Sequence, residues 1–321
     1  MRRFSREAFP RYAWSVLGFN LLTILWGALV RASGSGDGCG DHWPLCNGTV
    51  FPHAAQIATL IEFTHRATTG IALISVVAMV AWAFRVYPAG RVRKAASASL
   101  ILILTEALLG AGLVLLGYTG TNASMGRAVY LSAHLVNTLL MIAAMALTAK
   151  WGSREPSPPR PIEWNAFWGT TAVRWAGLAI LAAILVAISG TIAALSDTLF
   201  PSASLQAGWS ADFSAASPLF VRLRIWHPAI AAMAGIYIAV FALLVKIPGA
   251  RRLGLAVAGL VGLQIACGLL NLWLLTPAWM QMIHLLVADL LWIALVLLSA
   301  EALESGAVQE PVKIASAFQP L

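Results

Sequence analysis

The chain has 321 residues, of which 60% are hydrophobic and 11% charged, and its formal net charge is +8. Because a soluble globular domain carries about a quarter charged residues, this composition excludes an ordinary soluble protein. Eight mostly apolar runs are long enough to cross the roughly 30 Å hydrocarbon core of a membrane as helices. In chain order they cover residues 12–31, 57–84, 96–116, 129–149, 174–194, 222–245, 253–274 and 280–300. We therefore predict an all-α integral membrane protein with eight transmembrane helices.

The basic residues are distributed unevenly between the two faces that these spans define. With a cytoplasmic N-terminus, sixteen of the 21 lysines and arginines lie on the cytoplasmic side. The other five are Arg31, Arg66, Arg127, Arg222 and Arg224. Such a bias sets the orientation of a membrane protein during insertion. We predict a multi-pass protein of a bacterial inner membrane with both termini cytoplasmic, and the positive charge indicates topology rather than a nucleic-acid partner.

The segment between the first two spans, which contains GCGDHWPLC at residues 38–46, is then outside. Thiols can be oxidised and stay oxidised outside a bacterial inner membrane, so a disulfide between Cys39 and Cys46 is expected. Two interpretations stay open: the disulfide is a plain staple of the loop, or it is a redox-active pair that shapes a site below it. The third cysteine, Cys267, lies in the seventh span and is expected to be a small packing residue.

Histidines give the strongest functional indication. His42 and His53 belong to the outer loop, and each even-numbered span contains one further histidine: His65, His134, His227 and His284. Every even-numbered span begins at the outer face, and each histidine follows one to two turns later, roughly 6–14 Å deep at 1.5 Å per residue. An ionisable residue inside the membrane is a candidate functional residue. One histidine alone could be satisfied by a neighbouring carbonyl, but four at a similar depth favour metal ligation.

The two halves of the chain resemble each other. EALLG at residues 106–110 parallels QIACG at 264–268, and HLVNTLL, which begins at His134, parallels HLLVADLL, which begins at His284. Four spans per half place both halves in the same orientation. We predict two four-helix bundles related by a pseudo-twofold axis, residues 1–150 and 151–300, followed by a flexible cytoplasmic tail at 301–321. Helical bundles commonly hold cofactors between facing helices.

Two histidines per bundle, without a cluster of cysteines or carboxylates, favour six-coordinate haem iron, whose other ligands come from the porphyrin. Zinc would usually require three or four protein ligands close together. Guanidinium groups pair well with anionic haem propionates, and the candidates are Arg66, Arg127, Arg222 and Arg224. Ordinary interfacial arginines are the alternative for some of these four.

The halves differ in charge beside the histidines. Glu62 precedes His65 by three residues, so the two share a helix face, whereas Arg224 precedes His227 by three. A carboxyl group beside the first haem is placed for acid–base chemistry, whereas the second site is suited to holding and tuning a haem. Alternatively, Glu62 only neutralises Arg66. Glu106 and Asp289 are further acids inside the membrane, and a proton path or a local partner stays open for both.

These residues resemble a known family. RASGSGDGCGDHWPLCNG at 31–48 and IEFTHRATTG at 61–70 are similar to the opening of haem A synthases, and the resemblance extends over all eight spans. It implies an enzyme that oxidises the C8 methyl group of haem O to a formyl group, giving haem A for cytochrome oxidase. By the same resemblance Glu62 is catalytic, and the metal ligands divide into two pairs. His65 and His134 hold the substrate haem, and His227 and His284 hold a haem b cofactor.

The resemblance also implies partners. They are a haem O synthase, an electron partner such as a quinone, and the lipid bilayer. Its cysteine pair maps to Cys39 and Cys46, but the second pair that some members carry is missing from residues 195–221, which puts any role requiring both pairs in doubt. Two other functions stay open: a dihaem b-type electron-transfer cytochrome, in which neither haem is altered, and a haem transporter.

Overall fold

The computed structural model of the protein describes residues 5–52, 56–154, 171–244 and 250–304, without the side chains of 171–173. His53 and most of the predicted tail, residues 305–321, lie outside the described residues. The helices are α1 Phe9–Ala32, α2 Ile57–Val86, α3 Arg91–Leu115, α4 Met125–Gly152, α5 Thr171–Leu199, α6 Leu205–Phe213, α7 Leu219–Arg224, α8 Trp226–Leu244, α9 Arg251–Trp273 and α10 Ala278–Glu304. A short 3₁₀ turn, Ser35–Asp37, follows α1.

Eight of these segments are long and apolar enough to cross a membrane when α7 and α8 are counted together as Leu219–Leu244. The prediction of an all-α, multi-pass membrane protein is thereby confirmed. Many large apolar side chains, such as Leu22, Ile74 and Leu108, are exposed on the outside of the helices. They provide the apolar surface that a transmembrane helix needs against lipid.

The helices contact one another in two closed sets. Along the chain α1, α2, α3 and α4 each contact the next, and α4 also contacts α1. In the second set α5 contacts α8 and α10, and α9 lies against both α8 and α10. The sets meet where α4 and α1 pack against α10 and where α4 packs against α5. The arrangement as two four-helix bundles related by a pseudo-twofold axis stays a prediction.

Apolar packing follows the same division. One cluster of buried residues, including Phe9, Met79 and Ile142, fills the space enclosed by α1, α2, α3 and α4. Trp292 of α10 belongs to the same cluster. Trp292 also donates its indole N–H to the carbonyl of Leu139 at 2.7 Å, which ties α10 to α4. A second cluster, around Phe241, lies in the other set.

Two features differ from the sequence prediction. The sixth span is broken after Arg224, because Pro228 has no N–H to donate to the carbonyl four residues earlier. Helix α6 was not predicted within 195–221, although its N-cap is a typical one: the hydroxyl of Ser204 accepts a hydrogen bond from the Ala207 N–H at 3.1 Å.

The last helix extends four residues beyond the predicted span, as far as Glu304. Its end is held by α4: Lys150 lies 3.2 Å from Glu301, and Arg154 pairs with Glu301 and Glu304. Trp151 donates its indole N–H to Glu304 at 2.5 Å. The predicted flexible tail begins at residue 301, but its first four residues are part of the helix, because these contacts order them.

Candidate functional site

The loop between α1 and α2 is closed by a disulfide between Cys39 and Cys46, as predicted. Its backbone lies directly on α2. A Cβ atom on Gly38 would come within 2.5 Å of the Ala58 carbonyl, so only glycine permits this approach. The Thr59 hydroxyl donates to the Gly38 carbonyl at 2.8 Å. The disulfide loop therefore covers the N-terminal end of α2.

Glu62 lies under this loop and is almost completely buried, with 4% of its surface exposed. Its Oε2 accepts a hydrogen bond from the backbone N–H of Cys39 at 2.8 Å. Its Oε1 forms an ion pair with Arg66, one turn later in α2. Arg66 also donates to the carbonyls of His42 at 2.5 Å and Leu45 at 2.7 Å. Glu62 and Arg66 thus link α2, the helix that carries His65, to several points along the disulfide loop.

His65 of α2 and His134 of α4 both belong to the first set of helices, and each lies against a glycine of the preceding helix. The imidazole of His65 lies against Gly27 of α1, and its buried Nδ1 has no hydrogen-bond partner. The Nδ1 of His134 lies 2.8 Å from Oε1 of Glu106 in α3. This contact occupies Nδ1 and leaves Nε2 of His134 as the nitrogen that can bind a metal.

Two polar residues of α4 hold the carboxylate of Glu106. The side-chain amide of Asn137 donates to Oε2 at 2.6 Å, and the hydroxyl of Thr138 donates to Oε1. Asn137 is itself fixed by Thr105, whose hydroxyl donates to it at 2.7 Å. The carboxylate is therefore held against His134 by partners on both of its oxygens.

His227 of α8 and His284 of α10 are the corresponding histidines of the second set. His227 Nδ1 lies 3.0 Å from the hydroxyl of Ser189 in α5. His284 Nε2 lies 3.3 Å from the side-chain amide nitrogen of Gln264 in α9, whereas its buried Nδ1 has no partner. Each pair thus contains one imidazole with a partner on Nδ1 and one without.

A glycine lies beside each of the four histidines. A Cβ atom placed on the glycine would lie 2.8 Å, 3.6 Å, 3.0 Å and 3.2 Å from the nearest imidazole atom in the pairs Gly27–His65, Gly110–His134, Gly190–His227 and Gly268–His284. Each glycine lies in the helix of the preceding span. This role was not predicted from the sequence, although Gly110 and Gly268 end the matching EALLG and QIACG segments. The backbone of the preceding helix therefore forms one wall of each histidine site.

Three of the four arginines proposed for propionates are engaged with the protein. Arg66 pairs with Glu62 as described. Arg127 donates to carbonyls of the segment before α4, including Gly120 at 2.7 Å, and Arg224 pairs with Asp197 and Asp212 at 3.0 Å and 2.7 Å. Arg222 is exposed. Pairing with propionates stays a prediction for all four.

Arg31 is a further charged residue, and it was not selected as a site residue from the sequence. Its guanidinium donates to the carbonyl of Ala194 at 2.8 Å, to the hydroxyl of Thr198 at 2.7 Å and to Oε1 of Gln281 at 2.9 Å. It therefore links α1 to α5 and α10. The predicted packing role of Cys267 agrees with its buried free thiol, and Asp289 is buried with one carboxylate oxygen unpartnered.

Comparison with known proteins gives a consistent family. A family model named COX15-CtaA, described as cytochrome oxidase assembly protein, matches residues 10–296. A protohaem IX farnesyltransferase from a strain of Thermus thermophilus is 44% identical over 301 residues, which cover 92% of this chain and 48% of that protein.

Haem A synthases are also similar. That of Alkalihalophilus pseudofirmus is 44% identical over 98 residues, covering 30% of this chain and 33% of the synthase. That of Bacillus licheniformis is 29% identical over 198 residues, covering 59% and 61%. The chain spans less than two thirds of the length of each of these relatives.

Proposed function

The chain belongs to the COX15-CtaA family of cytochrome oxidase assembly proteins, and from this premise we propose that it is a haem A synthase. It would oxidise the C8 methyl group of haem O to a formyl group. One observation carries the proposal: the helical set that contains His65 and His134 also holds a buried carboxylate, Glu62, beneath a disulfide-closed loop.

The hydrogen-bond partners of the imidazole nitrogens are compatible with binding of haem iron. His65 and His284 each keep a buried Nδ1 without a partner, which costs free energy unless something binds the ring. In His134 the contact with Glu106 occupies Nδ1, so Nε2 is the nitrogen that can bind a metal. Two imidazoles in each helical set would supply the two protein ligands that a six-coordinate haem iron needs. We assign His65 and His134 to the substrate haem, and His227 and His284 to a resident haem b.

The chemistry requires both proton and electron transfer. Written with water as the oxygen source, R–CH₃ + H₂O gives R–CHO with the release of four electrons and four protons. A resident haem b supplies one-electron transfer in the second half. The electrons need an acceptor outside the two sites, and we propose a quinone, which takes two electrons and two protons per molecule. A haem O synthase would supply the substrate.

Glu62 is the group of this chain that we assign to proton transfer. Its Oε1 accepts a hydrogen bond from Arg66 and its Oε2 accepts one from the Cys39 N–H, so the carboxylate is held in one position. A fixed carboxylate beside a water-poor site can take protons that the substrate releases and pass them outward. The disulfide loop above it excludes water. With both termini cytoplasmic, this loop is on the outer side of the membrane.

Protohaem farnesyl transfer is a second candidate, because the Thermus relative carries that name. Prenyl transfer does not need paired imidazoles. The two histidine pairs therefore favour the oxidation. The dihaem electron carrier and the haem transporter share the histidines but give Glu62 no chemical role.

The test compares two acidic residues in one preparation. The protein is produced together with a haem O synthase and purified, and its haems are extracted and separated by chromatography. We expect haem A from the wild-type protein and a loss of about 10²-fold or more from Glu62→Gln, the range of general acid–base effects. Asp41→Asn, at an exposed acid of the same loop, should leave the yield unchanged.

Each other outcome has a definite meaning. Normal haem A from Glu62→Gln would remove Glu62 from the reaction. Haem b alone from the wild-type protein would favour the electron carrier, and unaltered haem crossing a vesicle membrane would favour the transporter. Conversion of protohaem and farnesyl diphosphate to haem O by the purified chain would favour the transferase.

A further inference from the structure

Glu106 and Gln264 occupy equivalent places in the two halves. Each precedes by four residues a glycine that packs against the histidine of the next span: Gly110 beside His134 and Gly268 beside His284. Each also reaches that histidine with its side chain. A carboxylate therefore contacts a histidine in the first half where a neutral amide contacts one in the second.

The two contacts differ in the ring nitrogen as well as in charge. Glu106 lies 2.8 Å from Nδ1 of His134, which leaves Nε2 opposite it. Gln264 instead lies 3.3 Å from Nε2 of His284, and Nδ1 of that ring has no partner. The first contact thus fixes the tautomer of a ligand, with the proton on Nδ1, whereas the second does not.

The hydrogen bonds around Glu106 fix the position of its side chain. The amide of Asn137 and the hydroxyl of Thr138 donate to its two oxygens and so hold the carboxyl group against His134. A carboxylate that accepts the Nδ1 proton of a metal-bound imidazole fixes the ring and raises the basicity of the ligand. Inside a membrane helix set, the low local dielectric makes this charge more effective than it would be in water.

We propose that Glu106 is a positioning residue for the substrate haem: it fixes His134 for binding through Nε2 and, by its charge, favours the oxidised iron in the first half. The second half, with neutral Gln264 and Ser189 beside its histidines, favours the reduced iron by comparison. Electrons released in the first half would then pass to the second in the energetically favourable direction. This inference rests on the proposed function, since it assumes that both histidine pairs bind haem.

The test is a redox titration rather than an activity assay. Detergent-purified protein is loaded with haem b in both sites, and the absorption of the reduced haems is followed against potential. We expect two components of different midpoint potential in the wild-type protein. Glu106→Gln should raise only the lower of the two midpoint potentials. Each tenfold change in the ratio of the affinities for oxidised and reduced haem corresponds to about 59 mV, and a change of about tenfold is expected.

Glu106→Gln separates charge from structure, because the amide oxygen can still accept the Nδ1 proton. A merely structural role would leave the midpoint potential where it is, and that result would overturn the proposal. Thr138→Val gives an independent measurement, since it removes a donor that competes for Oε1 of Glu106 while keeping the charge. It should lower the same component.

Two further outcomes are separable. If Glu106→Gln purifies without haem in the first site, the Thr138→Val shift decides, and no shift there overturns the proposal. Asp289→Asn, which removes a buried acid from the other half, should leave the lower component in place; if it moves that component equally, the effect is not specific to Glu106. A wild-type protein that binds no haem at all would contradict the proposed function itself.

Discussion

Replacing Gly27 by alanine should displace His65 from its place between α1 and α2. The added methyl carbon would lie 2.8 Å from Cε1 and 3.0 Å from Nε2 of the imidazole. Carbon atoms in contact prefer about 3.5–4.0 Å, so the ring must move by about 0.7 Å or more. A loss of about 10–100-fold in haem affinity is expected, the range seen when the supporting contacts of a metal ligand are removed.

The assay measures haem bound per protein by absorption during titration with haem b, and haem A yield from cells that also make haem O. The matched control is Gly18→Ala in the same helix. A Cβ atom there meets nothing within 4 Å, and Gly18 is exposed. Alanine at this control position should leave haem binding unchanged and favour the helix by up to about 1 kcal/mol.

Wild-type haem affinity and an unchanged haem spectrum in the Gly27→Ala protein would refute this reasoning. Such a result would mean that the imidazole of His65 does not need its position against α1 in order to bind. Loss of haem from both Gly27→Ala and Gly18→Ala would instead indicate that α1 does not tolerate substitution, and the contact with His65 would then have no special role.

Three further predictions concern the second half and the joint between the halves. Gly190→Ala should weaken haem b binding through His227 about 10-fold, whereas Gly177→Ala in the same helix, with nothing within 4 Å of its Cβ, should not; equal binding by both proteins would contradict it. Arg31→Leu should lower the apparent Tm in detergent, with a loss of about 1.5–3 kcal/mol from its charged hydrogen bonds to α5 and α10, and an unchanged Tm would show that these contacts are not needed. Arg224→Met should lower the free energy of unfolding by about 3–5 kcal/mol, because it leaves two mostly buried aspartates unpaired. The control Arg222→Met, at an exposed position, should change it by less than about 0.5 kcal/mol. Similar Tm values for the two variants would count against this prediction.

The spans could be predicted because membrane crossing depends on the length and hydropathy of a local run of residues. All eight predicted runs correspond to helices that differ from them by a few residues at each end. The break near Ile225 could also have been predicted from a nearby residue, Pro228. Hydropathy does not show it, because hydropathy is averaged over a run of residues. The ordered end of α10 could not be predicted from the residues near it in the sequence. It depends on ion pairs between Glu301 and two residues about 150 positions away, at the end of α4 and just after it.

The candidate site was only partly predictable for a related reason. Ionisable residues inside apolar runs are conspicuous, so His65, His134, His227 and His284 could be selected from the sequence alone. What lies beside each ring depends on packing between helices. Glycine in a membrane helix is common, and only the structure distinguishes Gly27, which touches an imidazole, from glycines on the same helices that touch nothing.

Charge placement, rather than helix arrangement, is where the two halves of the chain differ most. Both halves contain two histidines and place a glycine beside each ring. The first half adds two carboxylates, Glu62 under the disulfide loop and Glu106 on His134. The second half has Arg224, already paired with its own aspartates, and the neutral Gln264. In an apolar interior charges are weakly screened, and on these few differences we base the proposal that the first site is reactive and the second carries electrons.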